Sequence, residues 1–420
     1  MRPTRQSYPS RRDVLVSSTL AATACLPGVA DAAPAVVPRK VAVAASVYHA
    51  GSHADVIVGK ILEGWKQDGG PGPALQLASL YVEQFPQEDI SRGMARKHGV
   101  PMFDSIEQAV TVGGKGIPVD GVISIAEHGD YPFNERGQHL YPRRRFFKEI
   151  TDTFRKYDTV VPVFSDKHLG PTWEDASWMY QRAREMKIPF MAGSSLPVSY
   201  RKPDISVPMG SDLEAAVGIG YDGLDIYGAH ALDSYQAIVE RRRNAEAGVE
   251  WVQYLEGPAV RQAVADGLVP REVFEAALAV APRAKGNVPY RLAPREALFL
   301  FRYRDGFQGI QFMLQSVNRT TVAVKFKGAQ KAAGMQFEEH EEPAHPHFAY
   351  LLKGIEQMIH TGQPSYPVER TLLSSGILDR AILSRAKGGK RLMTPELAIS
   401  YQPVDYPYAP DPALNRKPGG

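Results

Sequence analysis

The stretch VVPVFSDKHL, residues 160–169, decides the fold class of this chain. Its first half is largely apolar and its second half carries Ser165, Asp166, Lys167 and His168, a polarity switch typical of a buried strand and the turn after it. Open α/β sheets bind their ligands at the carboxyl ends of such strands. A carboxylate, an amine and an imidazole in consecutive positions offer proton donors and acceptors over a wide pH range. The stretch therefore predicts an active site at a strand end; solvated strand-end charges are the alternative.

Strand and helix patterns alternate before this stretch. Apolar, β-branched runs separated by amphipathic helical patterns are typical of βα units that build a doubly wound parallel sheet. Ser105 begins one helix with the Ser-x-x-Gln form of a capping box, and Gly99 ends another. The other predicted strands of this sheet are Val41–Val47, Leu75–Val82 and Val119–Ala126.

The second half of the chain has a different pattern. Beyond Pro197 the predicted strands are typical of a mostly antiparallel sheet. The sequence thus predicts an α/β fold with an N-terminal Rossmann-like domain (40–170), built on a doubly wound parallel sheet, and a C-terminal α+β domain (171–340) with an open, mostly antiparallel sheet. Residues 400–420 are predicted to form an irregular tail. The predicted strands of the second sheet are Val249–Leu255, Ala297–Tyr303, Gly309–Leu314, Val322–Lys327 and Met335–Glu338.

Composition limits the class of protein. Of 420 residues, 44% are hydrophobic and 23% charged, as in an ordinary soluble globular protein of about two domains. The formal net charge of +3 gives no reason to expect a nucleic acid or a membrane surface as partner. The apolar run Val14–Leu26 is too short to span a bilayer, so we expect no integral membrane segment after processing.

The N-terminus has the pattern of an export signal. Ser10-Arg11-Arg12-Asp13 precedes that apolar run, and Ala30-Asp31-Ala32 supplies a small-x-small cleavage site. The pattern resembles a twin-arginine (Tat) signal over residues 1–32, so we expect a periplasmic protein exported in folded form. Cys25 is the only cysteine, and cleavage near Ala32 leaves a mature chain without thiol chemistry. The alternative is a weak lipobox, Ala22–Cys25, which makes Cys25 a lipid anchor.

The turn after the first strand departs from a dinucleotide-binding fingerprint. Gly-x-Gly-x-x-Gly lets the backbone approach a pyrophosphate at a helix N-terminus, but Ala45–Gly51 has a glycine only at its end. Tyr48 and His49 are expected to crowd the path of the pyrophosphate. Ser52 and the helix after it could still hold an anion, and Glu83 is the candidate partner for a ribose hydroxyl. The fingerprint is thus degenerate.

Four stretches together resemble one known family. Met94–Ser105 is similar to its link from second helix to third strand, and Val119–Ala126 is similar to its fourth strand. Ser165–His168 falls where the family has Glu-Lys-Pro, and Leu224–Asp233 resembles its Asp-x-Gly-x-His-x-x-Asp motif. The family is the Gfo/Idh/MocA group of sugar oxidoreductases, which includes glucose–fructose oxidoreductase-like proteins.

The resemblance implies a fold, a reaction and a set of site residues. The family pairs a Rossmann domain with a sheet domain for substrate and oligomer contacts, so a homo-oligomer is expected, and late helices, here within 345–395, pack back on the first domain. Lys167 matches its catalytic lysine and His230 its catalytic histidine, while Asp225 matches a nearby acid from one residue too far upstream. The implied reaction uses NAD or NADP on a sugar: His230 takes the hydroxyl proton, Lys167 polarises the oxygen and Asp225 orients the ring. The implied cofactor-binding residues are Tyr48, Gly51, Ser52, Glu83, Glu127 and His128.

A second cluster keeps other functions open. Glu127 and His128 follow one strand, and Asp166 and His168 follow the strand expected beside it, so these side chains are predicted to converge. A carbohydrate lyase or hydrolase could use them, and a metal site that adds His139 is a further alternative, although no tight ligand spacing supports one. A sugar-binding protein without catalysis is the third alternative.

Three consecutive arginines, Arg143, Arg144 and Arg145, begin a predicted helix. Positive charge at a helix N-terminus opposes the macrodipole. The sequence therefore predicts compensating carboxylates at Glu127 and Asp130, or an acidic ligand. A solvated basic face is the alternative.

Overall fold

Two β-sheets and ten α-helices make up the part of the chain that the structure describes. The computed structural model describes residues 37–284, 296–339 and 344–409. The predicted signal segment 1–32, with Cys25, and the end of the predicted tail lie outside these residues. Within the described ranges, every helix is too short or too polar to span a bilayer.

The first sheet is parallel and contains six strands. They are β1 (Arg39–Ala45), β2 (Leu75–Val82), β3 (Met102–Phe103), β4 (Gly121–Ile125), β5 (Val163–Asp166) and β6 (Phe190–Gly193). Their order is β3-β2-β1-β4-β5-β6, so the order reverses between β1 and β4, which is the topological switch point of a doubly wound sheet. β5 begins later than the apolar run because Pro162 has no N–H for the sheet and Val160 is exposed.

Helices cover both faces of this sheet. They are α1 (His53–Glu63), α2 (Ser91–His98), α3 (Ile106–Thr111), α4 (Arg143–Lys156) and α5 (Trp173–Glu185). Ser105 caps α3 by accepting the Gln108 N–H, and Gly99 ends α2 in the left-handed region, both as predicted. Every residue of β4 is buried, because a parallel sheet covered on both faces has no solvent side. The predicted Rossmann-like sheet is confirmed, and with α5 and β6 it continues beyond residue 170.

The second sheet contains eight strands and is mostly antiparallel. They are β7 (Arg201–Lys202), β8 (Leu213–Gly220), β9 (Val249–Glu256), β10 (Glu296–Tyr303), β11 (Gln308–Leu314), β12 (Thr321–Phe326), β13 (Ala333–Phe337) and β14 (Leu392–Met393). Their order is β14-β9-β10-β11-β8-β12-β13-β7, and only β11 and β8 pair in parallel. Gly306 turns the β10–β11 hairpin with φ 87°. The predicted α/β fold class is confirmed.

Five further helices pack on the two sheets. They are α6 (Ile226–Val239), α7 (Pro258–Ala265), α8 (Arg271–Ala279), α9 (His347–Thr361) and α10 (Glu369–Ala386). α6 and α10 cover one face of the second sheet, and α7 and α8 cover the other. α9 packs on the first sheet through Leu351 and Ile355. α10 contacts both cores, with Leu372 in the first and Leu373 in the second. The carboxyl ends of β4, β5 and β6 therefore face α6.

Candidate functional site

A cavity lies where the first sheet faces α6. Glu127 follows β4, Lys167 follows β5, and His230 lies in the second turn of α6. The cavity has a volume of about 710 Å³, which is usual for a small-molecule site. Its lining also includes His53, His128, Tyr141, Tyr221, Tyr227, Arg319, Glu339 and Phe348.

Lys167 and His230, the predicted catalytic pair, are hydrogen-bonded to each other through Nζ and Nε2. Lys167 has a φ of 68°, a left-handed conformation that is uncommon for a residue with a side chain and is found at functional sites. Burial lowers the pKa of Lys167 below its ordinary value, although Glu127 opposes the shift. Burial, reinforced by Lys167, lowers the pKa of His230 well below its ordinary value. At neutral pH a neutral imidazole therefore faces the lysine amine.

Ser194, which follows β6, holds the other nitrogen of His230. Its Oγ lies 2.5 Å from His230 Nδ1 and accepts the Leu196 N–H at 3.1 Å. The Ser194 N–H donates to Asp233 Oδ2 at 2.9 Å. The sequence-based prediction missed both residues. The available signal was Asp233, three residues after His230 and so on the same side of α6.

Asp225 does not reach His230, so the expectation that it orients the imidazole is corrected. Asp225 is the residue before α6, and a five-residue spacing places two side chains on different faces of a helix. Its Oδ2 instead accepts the His139 N–H at 2.8 Å, and its Oδ1 has no partner. Burial raises the pKa of Asp225 to about 6. Ser194 takes the position predicted for Asp225.

Glu127 is paired with Arg143 in the wall of the cavity. The Arg143 guanidinium is fully buried, its Nη2 bonds to Glu127 Oε2, and its Nη1 lies 3.4 Å from His168 Nε2. Lys167 Nζ lies 4.0 Å from Glu127 Oε1. Burial alone raises the pKa of Glu127, but Arg143 and Lys167 together lower it below its ordinary value. Glu127 is therefore ionised and already paired, and His168 lies behind the lining of the cavity.

The compensation predicted for the three arginines is confirmed for Glu127 but not for Asp130. Arg144 pairs with Asp175 at 2.9 Å, and Arg145 pairs with Glu83. Each of the three arginines in the first turn of α4 is thus paired with a carboxylate of the protein. None of them needs an acidic ligand to balance its charge.

The loop between β1 and α1 does not form a pyrophosphate cradle. The Gly51 N–H donates to Asp55 Oδ2 at 2.9 Å, so a carboxylate of the chain already occupies the helix N-terminus. Ser52 Oγ caps the helix by accepting the Asp55 N–H at 3.3 Å. Tyr48, which was expected to crowd the phosphate path, is instead fully buried with its ring in the core of the first sheet. Gly51 and Ser52 are thus engaged in the first turn of the helix, and the Tyr48 hydroxyl is buried without a hydrogen-bond partner.

The loop after β4 closes over the switch point between β1 and β4. The Asp130 N–H donates to Gln84 Oε1 at 2.8 Å, and Gln84 Nε2 donates back to the Asp130 carbonyl at 3.1 Å. Gly129 has φ 103° and packs so closely that a Cβ atom there would lie 3.3 Å from the Val47 side chain. A dinucleotide pyrophosphate crosses a doubly wound sheet at this point, close to glycine backbone. Here the cavity reaches this point, since Gly51 and Gly129 line it, but the Gly51 N–H is already bonded to Asp55.

Glu83, the residue expected at a ribose, is also held by the protein. It accepts a hydrogen bond from the Tyr131 hydroxyl and pairs with Arg145. Of the predicted cofactor residues, Gly51, Glu127 and His128 line the cavity. Three of the six predicted cofactor residues therefore line the cavity, and the other three are buried or bonded within the protein.

His53, at the start of α1, carries a second hydrogen-bonded pair into the cavity. Its Nδ1 lies 2.6 Å from Asp166 Oδ2. Burial raises the pKa of Asp166 to about 6. Burial, with Lys167 adding to it, lowers the pKa of His53 well below its ordinary value. Above pH 6 a carboxylate therefore faces a neutral imidazole. The sequence-based prediction placed Asp166 in the site but assigned nothing to His53.

The metal alternative gains no support from the described ranges 37–284, 296–339 and 344–409. They contain no group of three or more His, Cys, Asp or Glu side chains that could hold a metal ion. His139 lies between aromatic rings, with its centroid 4.2 Å from that of Phe133 and 3.9 Å from that of Tyr141. Its Nε2 lies 2.9 Å from the Tyr131 carbonyl.

Comparison with known proteins identifies the fold. No protein-family model matches the chain, and no curated protein is found as a relative. GenD2 from gentamicin A biosynthesis, solved in complex with NAD, is 12% identical with a TM-score of 0.54 over 87% of this chain and 99% of GenD2. The apo scyllo-inositol dehydrogenase of Lactobacillus casei is 9% identical with a TM-score of 0.53 over 85% of this chain and 98% of its own. A super-repressor mutant of Gal80p from Saccharomyces cerevisiae is 10% identical with a TM-score of 0.52 over 86% and 99%. The resemblance to the Gfo/Idh/MocA proteins is thereby confirmed at the level of the fold.

Proposed function

We propose that this chain, with its Gfo/Idh/MocA fold, is an enzyme that moves protons on a small polyhydroxylated substrate of the sugar class. The observation that carries the proposal is the hydrogen-bonded Lys167–His230 pair in the wall of the cavity. A buried amine and imidazole cost free energy that apolar side chains would not. Titratable groups with shifted pKa values that converge on one cavity are typical of catalytic sites.

Lys167 supplies the positive charge of this site. An ammonium at Lys167 Nζ needs a lone pair at His230 Nε2, so we assign the His230 tautomer that is protonated at Nδ1 and bonded to Ser194. The remaining ammonium hydrogens can meet a substrate oxygen on which negative charge develops. Because burial lowers the pKa of Lys167, the same group can also give up a proton to a departing oxygen.

Two reaction classes can use this pair, and we place a cofactor-independent lyase first. A lyase removes a proton beside a carbonyl or carboxylate and expels a hydroxyl, and it needs no hydride acceptor. An NAD- or NADP-dependent oxidoreductase acting on a sugar is the second candidate, favoured by the dehydrogenases that share this fold. The lyase comes first because the Gly51 N–H, at the helix N-terminus where a pyrophosphate would bind, is already bonded to Asp55.

Hydrolysis of a glycoside is the less favoured alternative. Most glycoside hydrolases need two carboxyl groups beside the scissile bond. In this cavity Glu127 is paired with Arg143, and Asp166 is bonded to His53. Glu339 accepts a hydrogen bond from Tyr221 at 2.7 Å. Glu127 and Glu339, the two carboxylates among the described residues that line the cavity, are thus each bonded to another side chain, and only Glu339 keeps an unpaired oxygen, Oε1.

The substrate class follows from the charges that line the cavity. Removal of a carbon-bound proton needs an adjacent group that accepts the electron pair, and cationic side chains stabilise the resulting anion. Lys167 and Arg319 both line the cavity. We therefore infer a sugar acid, of the aldonic or uronic class, as the substrate.

The test is NMR of the purified protein with D-gluconate, D-galactonate and D-glucuronate in D₂O, with and without added NAD and NADP. The proposal predicts loss of the substrate and formation of a keto-deoxy acid without added cofactor, and a drop of about 100-fold or more in Lys167→Met. Turnover that requires NAD or NADP would favour the oxidoreductase. Binding of a sugar acid without any turnover would favour the sugar-binding protein.

We also propose export through the Tat route. The support is the sequence pattern of Arg11 and Arg12 before an apolar run, in residues outside the described part of the chain. Replacement of both arginines by lysine should leave the protein in the cytoplasm, and unchanged periplasmic delivery in a fractionation experiment would contradict this. Mass spectrometry of the mature N-terminus checks the alternative, because a lipid on Cys25 excludes cleavage near Ala32.

A further inference from the structure

Two consecutive residues at the end of β5 each hold one imidazole in the same cavity. Asp166 is bonded to His53, which comes from the N-terminal end of α1, and Lys167 is bonded to His230 from α6. Asp166 is the last residue of β5 and Lys167 leaves the strand with a φ of 68°, so these two neighbouring residues hold partners from different parts of the fold. Both imidazoles line the cavity.

His53 has the surroundings of a base rather than of a core histidine. Its Nδ1 is bonded to Asp166, which leaves Nε2 as the nitrogen that can meet a ligand in the cavity. The Phe348 ring packs edge-on at 4.8 Å, and the His128 ring lies 5.3 Å away, so the imidazole is fixed in its plane. A carboxylate that fixes the tautomer and orientation of a base is a recurring catalytic arrangement.

Only one of the two carboxylate oxygens of Asp166 is hydrogen-bonded within the protein. Its Oδ1 is buried and has no hydrogen-bond partner. A buried acceptor without a partner is costly, and such atoms call for an explanation beyond packing. The side chain that holds the Asp166 carboxylate by a hydrogen bond is His53.

We propose that His53 is the base that takes the carbon-bound proton of the substrate, that Asp166 is its positioning residue, and that Lys167 is the acid; this rests on the proposed lyase function. His53 Nε2 takes the proton, and the electron pair of the C–H bond forms the new C=C bond. The bond from the neighbouring carbon to its hydroxyl breaks, and that hydroxyl leaves as water with a proton from Lys167. Protons then return to solvent from His53 and to Lys167, and the enol product becomes the keto acid.

The pair works only while Asp166 is ionised and His53 is neutral. The charged and titratable groups that face His53 are Lys167, Glu127, His128 and Arg143. Burial raises the pKa of Asp166 to about 6, so acidification through this value protonates the carboxylate and removes the acceptor for the Nδ1–H. Turnover is therefore expected to rise as the pH increases through about 6.

The first measurement needs no substrate. Histidine ¹⁵N shifts of the mature full chain at pH 7.5 report which ring nitrogen carries the proton, and the His53 signals are assigned by their loss in His53→Gln. We expect His53 to be neutral and protonated at Nδ1, and Asp166→Asn to change this tautomer. The control is His49→Gln, four residues earlier in the loop before α1 and outside the cavity lining, which should leave the His53 signals in place. A His53 protonated at Nε2, or unaffected by Asp166→Asn, would overturn the proposal.

The second measurement uses the sugar acid that responds in the D₂O experiment. We expect His53→Gln to lower deuterium exchange of the substrate C–H by about 100-fold or more, and Asp166→Asn to move the acidic limb of the pH profile. His49→Gln should match the wild type. Full exchange in His53→Gln would overturn the role of His53 while leaving the lyase function intact. If no sugar acid responds in the wild type, the lyase function fails, and the tautomer measurement still decides whether His53 and Asp166 form the proposed pair.

Discussion

Two buried polar networks in this molecule differ in how completely their atoms are paired. The first, here called the joining network, connects α6, α10 and the C-terminal segment. The second, here called the site network, surrounds the cavity. The members of the joining network are Gln236, Glu240, Arg242, Glu246, Arg370 and Tyr401, and those of the site network are Glu127, Arg143, Asp166, Lys167, His168 and His230.

In the joining network, none of the six described side chains has a buried polar atom without a partner. Arg370 Nε lies 3.0 Å from both carboxylate oxygens of Glu240, and the Tyr401 hydroxyl donates to Glu240 at 2.7 Å. Gln236 Nε2 donates to Glu246 at 2.6 Å. A network satisfied in this way holds elements together and has no capacity left for a ligand.

In the site network, three members have unpaired buried atoms. They are Asp166 at Oδ1, His168 at Nδ1 and Arg143 at Nε. Lys167 adds a left-handed backbone conformation at the same place. Unsatisfied groups and backbone strain destabilise a fold and are found where function requires them. The difference indicates that the first network was built for stability and the second for chemistry.

The largest expected effect on stability is in the joining network. Arg370→Met should lower the free energy of unfolding by about 3–5 kcal/mol, because it leaves the Glu240 carboxylate buried without its cation. Urea denaturation followed by circular dichroism measures this. The control is Arg385→Met, in the same helix but 41% exposed and 3.8 Å from Glu256, where a loss below about 1 kcal/mol is expected. Equal losses in the two variants would contradict the account.

Lys167→Met should separate activity from stability. We expect turnover of the responding substrate to fall about 100-fold or more, with a melting temperature equal to or above that of the wild type, because the substitution removes a buried ammonium that the fold does not need. Turnover and calorimetric melting of the same preparation measure both. A melting temperature lowered as strongly as in Arg370→Met would show that the site network is structural.

Asp225→Asn should stabilise the protein at neutral pH and not at acidic pH. Burial raises the pKa of Asp225 from 3.8 to about 6. The folded state therefore favours the protonated acid, and its contribution to stability is present at low pH and lost as the pH rises through about 6. Asparagine resembles the protonated form, so the variant should gain up to about 2 kcal/mol at pH 8 and almost nothing at pH 4. A loss of stability at pH 8 would contradict the role given to burial.

Ser194→Ala should have the smallest effect. Ser194 acts through His230, so we expect a decrease in turnover of about tenfold, and the pH dependence of turnover should also shift. Ser194→Thr retains the hydroxyl and should recover most of the activity. If Ser194→Ala lowers turnover without any shift in the pH profile, the residue serves packing alone.

More of the fold than of the site could be predicted from the sequence. The polarity switch at Asp166 and the alternation of strands and helices led to the correct parallel sheet, because strand patterns and caps are local signals. β8 and α6 were not predicted. For α6 the reason is that Ile226–Val239 is buried almost all round and has little amphipathic pattern.

The contacts of the site depend on long-range packing that local patterns do not carry. Lys167 and His230 were predicted to share a site because each matches a catalytic residue in a different motif of the same family. The hydrogen bond between His53 and Asp166 joins residues 113 positions apart in the sequence. The Tyr48 side chain packs in the core of the first sheet and does not lie in the crevice. Neither outcome has a signature in neighbouring residues.

The content of nicotinamide dinucleotide tests the central claim most directly. Protein purified from its native host is denatured, and the released small molecules are quantified against protein; calorimetric titration with NAD and NADP follows on the intact chain. The account predicts no dinucleotide above trace level and no binding heat at up to about millimolar concentration. About one nicotinamide per chain, or a dissociation constant in the micromolar range, would contradict it, because the Gly51 N–H would then have to exchange Asp55 for the pyrophosphate.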